Sequence, residues 1–408
     1  MKNIFEINTC EVCGNNKLSS VLNLGSHPLC DDLIPVGDIR ICSEYPIEIL
    51  FCENCATAHQ RFQIPKDELF PTTYHYRSRL TADVLDGMKT LVATCEQYLS
   101  SLKDKKVLDI GCNDGSLLNF FKEKGCVTLG IEPTNACIDA KKNGHTVYNT
   151  FLSMEAAQTI LKNHGKPDII TFTNVFAHIE NLPAVIEVLK LLKSPNATLV
   201  IENHYLGSVL SRGQFDTFYH EHPRSYSYSS FVHIAKNIGL TLQRVDFPSR
   251  YGGNIRVFMG GNITMEPIPN HEAILIEEKN FFDQFKTLRL NLSKWLEKKG
   301  ALVDLLKKRD EKWLGKAFPG RAAILIKMLA IDETVISSVF EKPGSLKIGH
   351  YVPGTRIPIL SDDTLFARNK KDDTILNFAW HIASEIKSYL SSNGFNGKII
   401  NILEPEDF

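Results

Sequence analysis

The sequence predicts an α/β protein in which a doubly wound parallel sheet is flanked by an amino-terminal cysteine module and a smaller α/β unit at the carboxyl end. Three observations predict it. Two CxxC pairs open the chain, at Cys10 with Cys13 and Cys52 with Cys55. Short β-branched runs then alternate with helical periodicity from Val107 to Glu202, the pattern of successive βαβ units. After a long amphipathic stretch from about Glu272 to Lys308, further apolar runs begin at Ala322.

Each cysteine pair can supply one knuckle of a tetrahedral tetrathiolate site, CEVC at Cys10 and Cys13 and CENC at Cys52 and Cys55. Zinc is the favoured ion, and Gly14 gives the first knuckle the freedom its turn needs. Four thiolates leave no coordination position for a substrate, so the expected role is in folding. Ten cysteines in 408 residues are too sparse for a disulfide scaffold, and Cys30 and Cys42 read as ordinary buried thiols.

Proline and threonines mark Phe70 to Leu80 as a loop, and alternate spacing puts Tyr74 and Tyr76 on one side if it is extended. A helix follows from about Thr81 to Ser101, with Leu85, Met88, Leu91 and Val92 at helical spacing. Strands are then expected at Val107 to Ile110, Val127 to Ile131, Thr146 to Tyr148, Asp168 to Thr173 and Ala197 to Glu202. The helices between them fall near Leu117 to Lys124, Thr134 to Asn143, Met154 to His164 and Pro183 to Leu192.

The chain is organised around VLDIGCNDGSLL, Val107 to Leu118, a buried strand that ends in an acid and breaks into a glycine-bounded turn. Gly111 and Gly115 allow positive φ and close backbone approach. The spacing lacks the G-x-G-x-x-G of a dinucleotide site and the Gly-Lys-Ser/Thr of a phosphate loop. Asp109 and Asp114 suit a cationic guest, a sulfonium with an amino group, and Glu132 stands where such folds bond a ribose. This combination resembles the S-adenosylmethionine site of the class I methyltransferases. The resemblance implies cofactor contacts from Asp109, Gly111, Asn113, Asp114, Gly115, Glu132 and Asn174.

Two later stretches carry proton chemistry. The loop NVFAHIEN brings Asn174 and His178 beyond the carboxyl edge of the sheet, where ligands of this fold class sit. FDTFYHEHPRSYSYSS packs Tyr219, His220, Glu221 and His222 into one segment. The alternation of His220 and His222 leaves no third metal ligand at useful spacing, so a proton-transfer cluster is expected.

Beyond about Gly239 the sequence suggests a strand at Thr241 to Val245, the turn YGGNIRV with Arg256, and one solvated bridging helix from Glu272 to Lys308. The apolar runs at Ala322 to Leu329, Thr334 to Glu341, Ile357 to Leu360, Thr374 to Phe378 and Lys398 to Leu403 compose the last unit. Its turns GKAFPG and YVPGTRIP are expected to hold a nucleotide diphosphate through backbone donors and Lys316, Arg321 or Arg356.

Taken in order, the double CxxC module, VLDIGCNDG, NVFAHI, YHEH, YGGNIRV, GKAFPGRAAIL, YVPGTRIPI and FAWHIASEI are similar to the bacterial sugar C-methyltransferases. The resemblance covers nearly the whole chain. It implies methylation at C3 of a nucleotide-linked 4-keto-6-deoxy sugar by S-adenosylmethionine, with Zn2+ in a structural role. It also implies Asn174 and His178 beside the sugar, Tyr219, Glu221 and His222 as the catalytic cluster, and Tyr76, ahead of Tyr74, closing the sugar pocket. Arg256, Lys316, Arg321 and Arg356 are the candidate substrate cations. Such a reaction needs a base for the C3 proton, His222 or Tyr219, and a donor to the developing C4 oxyanion, His178 or Tyr76.

The totals bound the alternatives. Forty-six Lys and Arg against 47 Asp and Glu give a net charge of −1, with no basic tail, which argues against nucleic-acid and membrane partners. No membrane-length apolar run or signal segment is evident, and a cytoplasmic location is expected. The domains expected are a zinc-binding module over 1–72, a methyltransferase domain over 73–238 and a nucleotide-sugar-binding domain over 239–408. An O- or N-methyltransferase of a nucleotide sugar, and a non-catalytic zinc-containing binding protein, are the alternatives.

Overall fold

A computed structural model describes residues 4–260, 271–308, 312–368 and 373–408. The chain forms two compact units. One comprises Met1–Ser20, Leu50–Val209 and Glu221–Phe282, and the other Val21–Ile49, Leu210–His220 and Asp283–Phe408.

The first unit is built on seven strands, β1 (Lys106–Ile110), β2 (Val127–Ile131), β3 (Thr146–Tyr148), β4 (Ile169–Thr173), β5 (Thr198–His204), β6 (Leu242–Asp246) and β7 (Asn254–Gly260). They lie side by side in the order β6-β7-β5-β4-β1-β2-β3. β1 to β5 run parallel, and β7 pairs antiparallel with both β5 and β6. Val107, Leu108 and Ile110 are buried because helices cover both faces of a parallel sheet, which is why the strand reads as a continuous apolar run.

Local chemistry sets the helices. Helix Ala82–Leu99 buries Val84, Met88, Leu91, Val92 and Cys95, one face at helical spacing. Asn181 caps Leu182–Leu192 by accepting from the Ala184 amide at 3.1 Å, with Pro183 in the first turn. Ser227 caps Tyr228–Ile238, and Gly239 in the left-handed conformation ends it.

The structure moves one expected boundary. β6 and β7, which carry the Thr241 stretch and the YGGNIRV motif, belong to the sheet of the first unit and not to a carboxy-terminal domain starting near Gly239. The reason is the register: Asn254–Gly260 pairs along its whole length with Thr198–His204.

The second unit holds a parallel sheet of β8 (Trp313–Lys316), β9 (Ile336–Glu341), β10 (Ile359–Ser361), β11 (Thr374–Asn377) and β12 (Lys398–Asn401), in the order β10-β9-β8-β11-β12. Leu314, Phe340, Leu365, Ile375, Ile386 and Leu390 form its core. The expected single helix over 272–308 is two helices, His271–Glu278 and Phe281–Lys307. The break falls where the Asn280 amide bonds the Glu277 carbonyl at 3.0 Å and the Glu278 carboxylate turns inward to the Tyr228 amide at 2.7 Å. Nor is the longer helix a solvated bridge: Phe285, Leu288, Leu292, Trp295, Val303 and Leu306 are buried, and the Trp295 indole donates to the Ile402 carbonyl at 2.8 Å.

Phe121 is fully buried in the first unit's core among Leu117, Leu118 and Val107. Phe121→Ala is expected to cost about 3–5 kcal/mol of stability, checked by urea unfolding of the isolated protein. A loss under about 1 kcal/mol would mean this core is not close-packed.

Candidate active site

The four knuckle cysteines converge, with all their sulfur atoms within 4.8 Å of one another. Cys10 and Cys55 Sγ are 3.4 Å apart, and Cys13 and Cys52 Sγ 3.6 Å. Ligands at about 2.3 Å from a tetrahedral zinc stand about 3.8 Å from one another, so the set fits that ion. Second contacts suit thiolates: His59 Nε2 lies 3.3 Å from Cys10 Sγ, Asn15 Nδ2 3.5 Å from Cys52 Sγ and Thr57 Oγ1 3.0 Å from Cys55 Sγ.

The glycine turn begins at the carboxyl end of β1. Gly111 has φ +71°, and a Cβ there would stand 2.6 Å from Val175 Cγ2, so the position requires glycine on both counts. Asp109 is buried and accepts from Thr171 Oγ1 at 2.7 Å; burial pushes its pKa up to about 7. Glu132 is also raised, by burial, while it accepts from the Asn113 amide at 3.0 Å and the Thr134 amide at 2.9 Å. Asp114 accepts from Ser116 Oγ at 2.6 Å and from the Arg79 amide at 3.0 Å.

Two desolvated carboxylates whose pKa values are raised fit a cationic guest, and S-adenosylmethionine carries both a sulfonium and an ammonium group. The strap that precedes helix Ala82–Leu99 lies against this turn. Asn113 Oδ1 accepts from the Ser78 amide at 3.0 Å, Arg77 Nη1 donates to the carbonyls of Tyr74 and Tyr76, and Arg79 Nη1 stands 2.8 Å from Asp139 Oδ2.

Beyond the same sheet edge, three imidazoles gather. His178 and His222 have ring centroids 4.9 Å apart, and His204 and His222 5.4 Å. His178 Nδ1 is 2.7 Å from the Glu221 carbonyl, which only accepts, so Nδ1 carries the proton of the neutral ring. Burial lowers the His178 pKa to about 4 against the pull of that bond, which keeps the ring neutral near pH 7. The Tyr74 hydroxyl donates to Glu221 Oε2 at 3.0 Å. Asn174 sits at φ +53°, its amide donating to the Glu202 carbonyl at 2.7 Å and its Oδ1 accepting from Asn254 Nδ2 at 3.3 Å.

His220 falls in the second unit, where its Nε2 bonds the Tyr45 carbonyl at 3.0 Å and burial lowers its pKa to about 4. Tyr219 also falls in the second unit, half-buried beside Gly320 of the GKAFPG turn.

Residues 76–245 match a methyltransferase domain family, residues 10–70 a zinc binding domain and residues 249–402 a C-methyltransferase C-terminal domain. Along nearly its whole length the chain is similar to C-methyltransferase NovU of Streptomyces niveus, 26% identical over 406 residues, which cover 95% of this chain and 94% of the relative. The chain is an S-adenosylmethionine-dependent methyltransferase similar to the C-methyltransferases. Ubiquinone biosynthesis O-methyltransferase of Histophilus somni is 30% identical over 112 residues, 26% of this chain and 47% of that protein. The crystal structure of magnesium protoporphyrin IX methyltransferase from Synechocystis with bound SAM aligns over 44% of this chain and 80% of that one, at 14% identity and a TM-score of 0.34.

In this methyltransferase the four cations expected to bind substrate are engaged inside the protein. Arg256 Nε stands 2.6 Å from Glu202 Oε2, Lys316 Nζ 2.7 Å from both oxygens of Asp362, and Arg321 Nε 2.8 Å from Asp216 Oδ2. Arg356 donates to the carbonyls of Asp38, Ile39 and Arg40 at 2.7, 2.9 and 2.9 Å. The first three are buried, and a buried cation without a carboxylate is too costly to persist, so their charge is met within the fold. In the 70s loop it is Tyr74 that reaches Glu221, whereas Tyr76 is 38% exposed.

Sequence reasoning missed Tyr74 as the nearer tyrosine, His204 as the third imidazole, and Arg77 and Arg79 as the strap. His204 ends β5 at the carboxyl edge, a position that could have flagged it. The strap carried no signal beyond two arginines in a loop.

Two expectations follow for the methyltransferase. Gly111→Ala places a side chain at φ +71° against Val175, so S-adenosylmethionine affinity by calorimetry should fall at least about tenfold while zinc stays at one per chain; concurrent loss of metal would make the two sites one folding unit. Asp109 carries a raised folded-state pKa, about 7 against an ordinary 3.8, so without cofactor it opposes stability increasingly as pH rises from about 4 through 7. A cationic ligand favours its ionised form, so cofactor affinity should strengthen as pH rises through about 7, with proton release on binding, and Asp109→Asn should flatten that dependence. A pH-independent wild-type affinity between pH 5.5 and 8.5 would contradict it.

Proposed function

We propose that this methyltransferase methylates C3 of a nucleotide-linked 4-keto-6-deoxy sugar through an enolate. The gathering of Tyr74, Glu221 and three imidazoles beyond the carboxyl edge of the methyltransferase sheet carries this reading. Bound S-adenosylmethionine supplies an electrophilic methyl on a sulfonium. A sugar C3 becomes a carbon nucleophile only when its proton is removed beside a C4 ketone, so the chain must supply a base and a donor to the enolate oxygen.

His222 is the base, and the Glu221 carboxylate beside it in the segment stabilises the imidazolium that forms. General-base help of this kind contributes about 10²–10⁴-fold. His178 spends its Nδ1 proton on the Glu221 carbonyl, so in its neutral form Nε2 accepts and does not donate. The Tyr74 hydroxyl likewise donates to Glu221 Oε2, so donation to the developing C4 oxyanion falls to the Tyr76 hydroxyl, a bond worth on the order of 3 kcal/mol in the transition state. His178 holds the Glu221 backbone, and Asn174 sits between cofactor and sugar. Tyr219 is the other candidate base. Residues 1–72 serve as the zinc module, 73–238 together with β6 and β7 as the catalytic domain, and the chain beyond them as the nucleotide-sugar domain, in which Lys316, Arg321 and Arg356 with their partners shape the pocket. The protein works in the cytoplasm on this small molecule.

A second reading, methyl transfer to an oxygen, is favoured by the likeness to ubiquinone biosynthesis O-methyltransferases. There the same base would take a hydroxyl proton. Wild-type protein should catalyse exchange of deuterium from solvent into C3 of a nucleotide-linked 4-keto-6-deoxyhexose without cofactor, which only the carbon mechanism requires. His222→Asn should lose exchange and methyl transfer together by at least about 10²-fold while S-adenosylmethionine binding persists. Wild-type exchange in His222→Asn with loss in Tyr219→Phe would make the phenolate the base, and methyl transfer without any C3 exchange would favour oxygen.

A further inference from the structure

The thiolate centre and the catalytic segment are joined by one continuous set of contacts. Glu11 lies inside the first knuckle, between Cys10 and Cys13, and its carboxylate pairs with the Arg224 guanidinium and accepts from Gln63 Nε2 at 2.8 Å. Arg224, two residues after His222, is wholly buried. Its Nε donates to the Tyr226 hydroxyl at 3.0 Å, and its Nη1 also reaches the Glu180 carbonyl at 3.4 Å, two residues after His178.

The backbone repeats the connection. Arg224 and Ser225 pair antiparallel with His59 and Ala58, and the Gln60 amide donates to the Pro223 carbonyl at 2.8 Å. His59, in that paired strand, contacts Cys10 Sγ. The Cys55 carbonyl accepts from Ser227 Oγ at 3.3 Å and Ser230 Oγ at 3.2 Å. On the other flank, Glu221 is held through its carbonyl by His178.

Between Glu221 and Ser227 the only regular structure is the two-residue strand Arg224–Ser225. Its geometry is therefore imposed from outside, and several of the polar contacts that impose it come from the cysteine module, from Glu11 and Cys55 of the knuckles and from the strand after the second knuckle. An arginine fork suits this task, since it bonds a carboxylate, a hydroxyl and a carbonyl from fixed directions at once. We infer that the zinc module is a positioning element for catalysis: the Glu11–Arg224 pair sets the placement of Glu221 and His222, so that metal occupancy governs turnover as well as folding. The inference rests on the catalytic reading of Glu221 and His222. Misplacement of a reacting group by about 1 Å can cost about 10²-fold, so a small shift of this segment is enough.

The test uses zinc-loaded full-length protein carrying 13C,15N-labelled histidine, with the His222 ring signals identified by their loss in His222→Asn. Glu11→Gln and Arg224→Lys each keep a polar partner and give two independent chances of a folded variant. Both are expected to retain one zinc per chain and S-adenosylmethionine affinity within about twofold, while the His222 and His178 ring signals shift. With dTDP-, GDP- or CDP-linked 4-keto-6-deoxyhexose as substrate, kcat should fall about 10–100-fold with little change in KM. Graded zinc removal by a chelator should move the same ring signals before cofactor binding is lost.

Variants that keep wild-type ring signals and kcat would overturn the inference. Loss of zinc and of cofactor binding together in both variants would also overturn it, because the pair would then be a prop of the whole unit. If His222→Asn transfers methyl groups normally, the catalytic reading fails, and the ring signals still report whether the knuckle positions the segment.

Discussion

The arrangement of the methyltransferase unit depends on one buried carboxylate, Glu202 near the end of β5. Burial alone would raise its pKa, but Arg250 and Arg256 on either side hold it below the usual carboxylate value. Arg250 Nε stands 2.5 Å from Oε1 and Arg256 Nε 2.6 Å from Oε2. Both arginines reach onward to helix Ala82–Leu99, Arg250 to the Val84 carbonyl at 3.0 Å and Arg256 to the Gly87 carbonyl at 3.1 Å. A Cβ at Gly87 would stand 2.0 Å from the Arg250 guanidinium, so a side chain there would displace the arginine from its pairing with Glu202. Asn254 then ties Glu202 to Asn174, which leads into the loop bearing His178. Removing one member of such a buried pair costs about 3–5 kcal/mol, because the charge left behind has no water to solvate it.

This network also explains which parts of the fold were legible. β1 to β5 and their helices were readable to within a residue or two because buried parallel strands and amphipathic helices write their burial into the sequence. β6 was readable as a strand, β7 only as a turn motif, and neither as a member of the same sheet, because antiparallel addition at an edge is decided by long-range register. Arg256 of YGGNIRV looked like a ligand contact for the same reason: its carboxylate partner, Glu202, lies 54 residues away along the chain. The long helix was misread as solvated because its charged residues dominate the sequence, whereas Trp295, which packs at 5.0 Å from Phe215, decides where it goes.

At the candidate site, the residues legible in sequence were those bound to a local motif. Gly111 and Gly115 announce a turn, and paired CxxC knuckles announce a metal, because backbone conformation and tetrahedral coordination each need particular residue types at short spacing. The members contributed singly by distant segments, Tyr74 and His204, carry no such signature. Arg224 shows the limit most plainly. Within HPRSY it resembled one more polar residue of a reactive segment, and only its burial against Glu11 separates it from the histidine two positions before it.

Charge is what makes these parts one site. Asp109 and Glu132 are desolvated acids, and the nearest basic side chains of the strap, Arg77 and Arg79, are paired with Asp139 and Asp114. The turn is therefore short of positive charge until a cation binds. His178, held neutral, adds none. On the proposed reading His222 takes the C3 proton in this pocket, and the charge it would then carry is opposed by the cofactor's sulfonium and favoured by the enolate and the Glu221 carboxylate. A pocket short of fixed positive charge suits that reading, because the proton would move as the enolate charge develops, so that stabilisation falls on the transition state more than on the resting site.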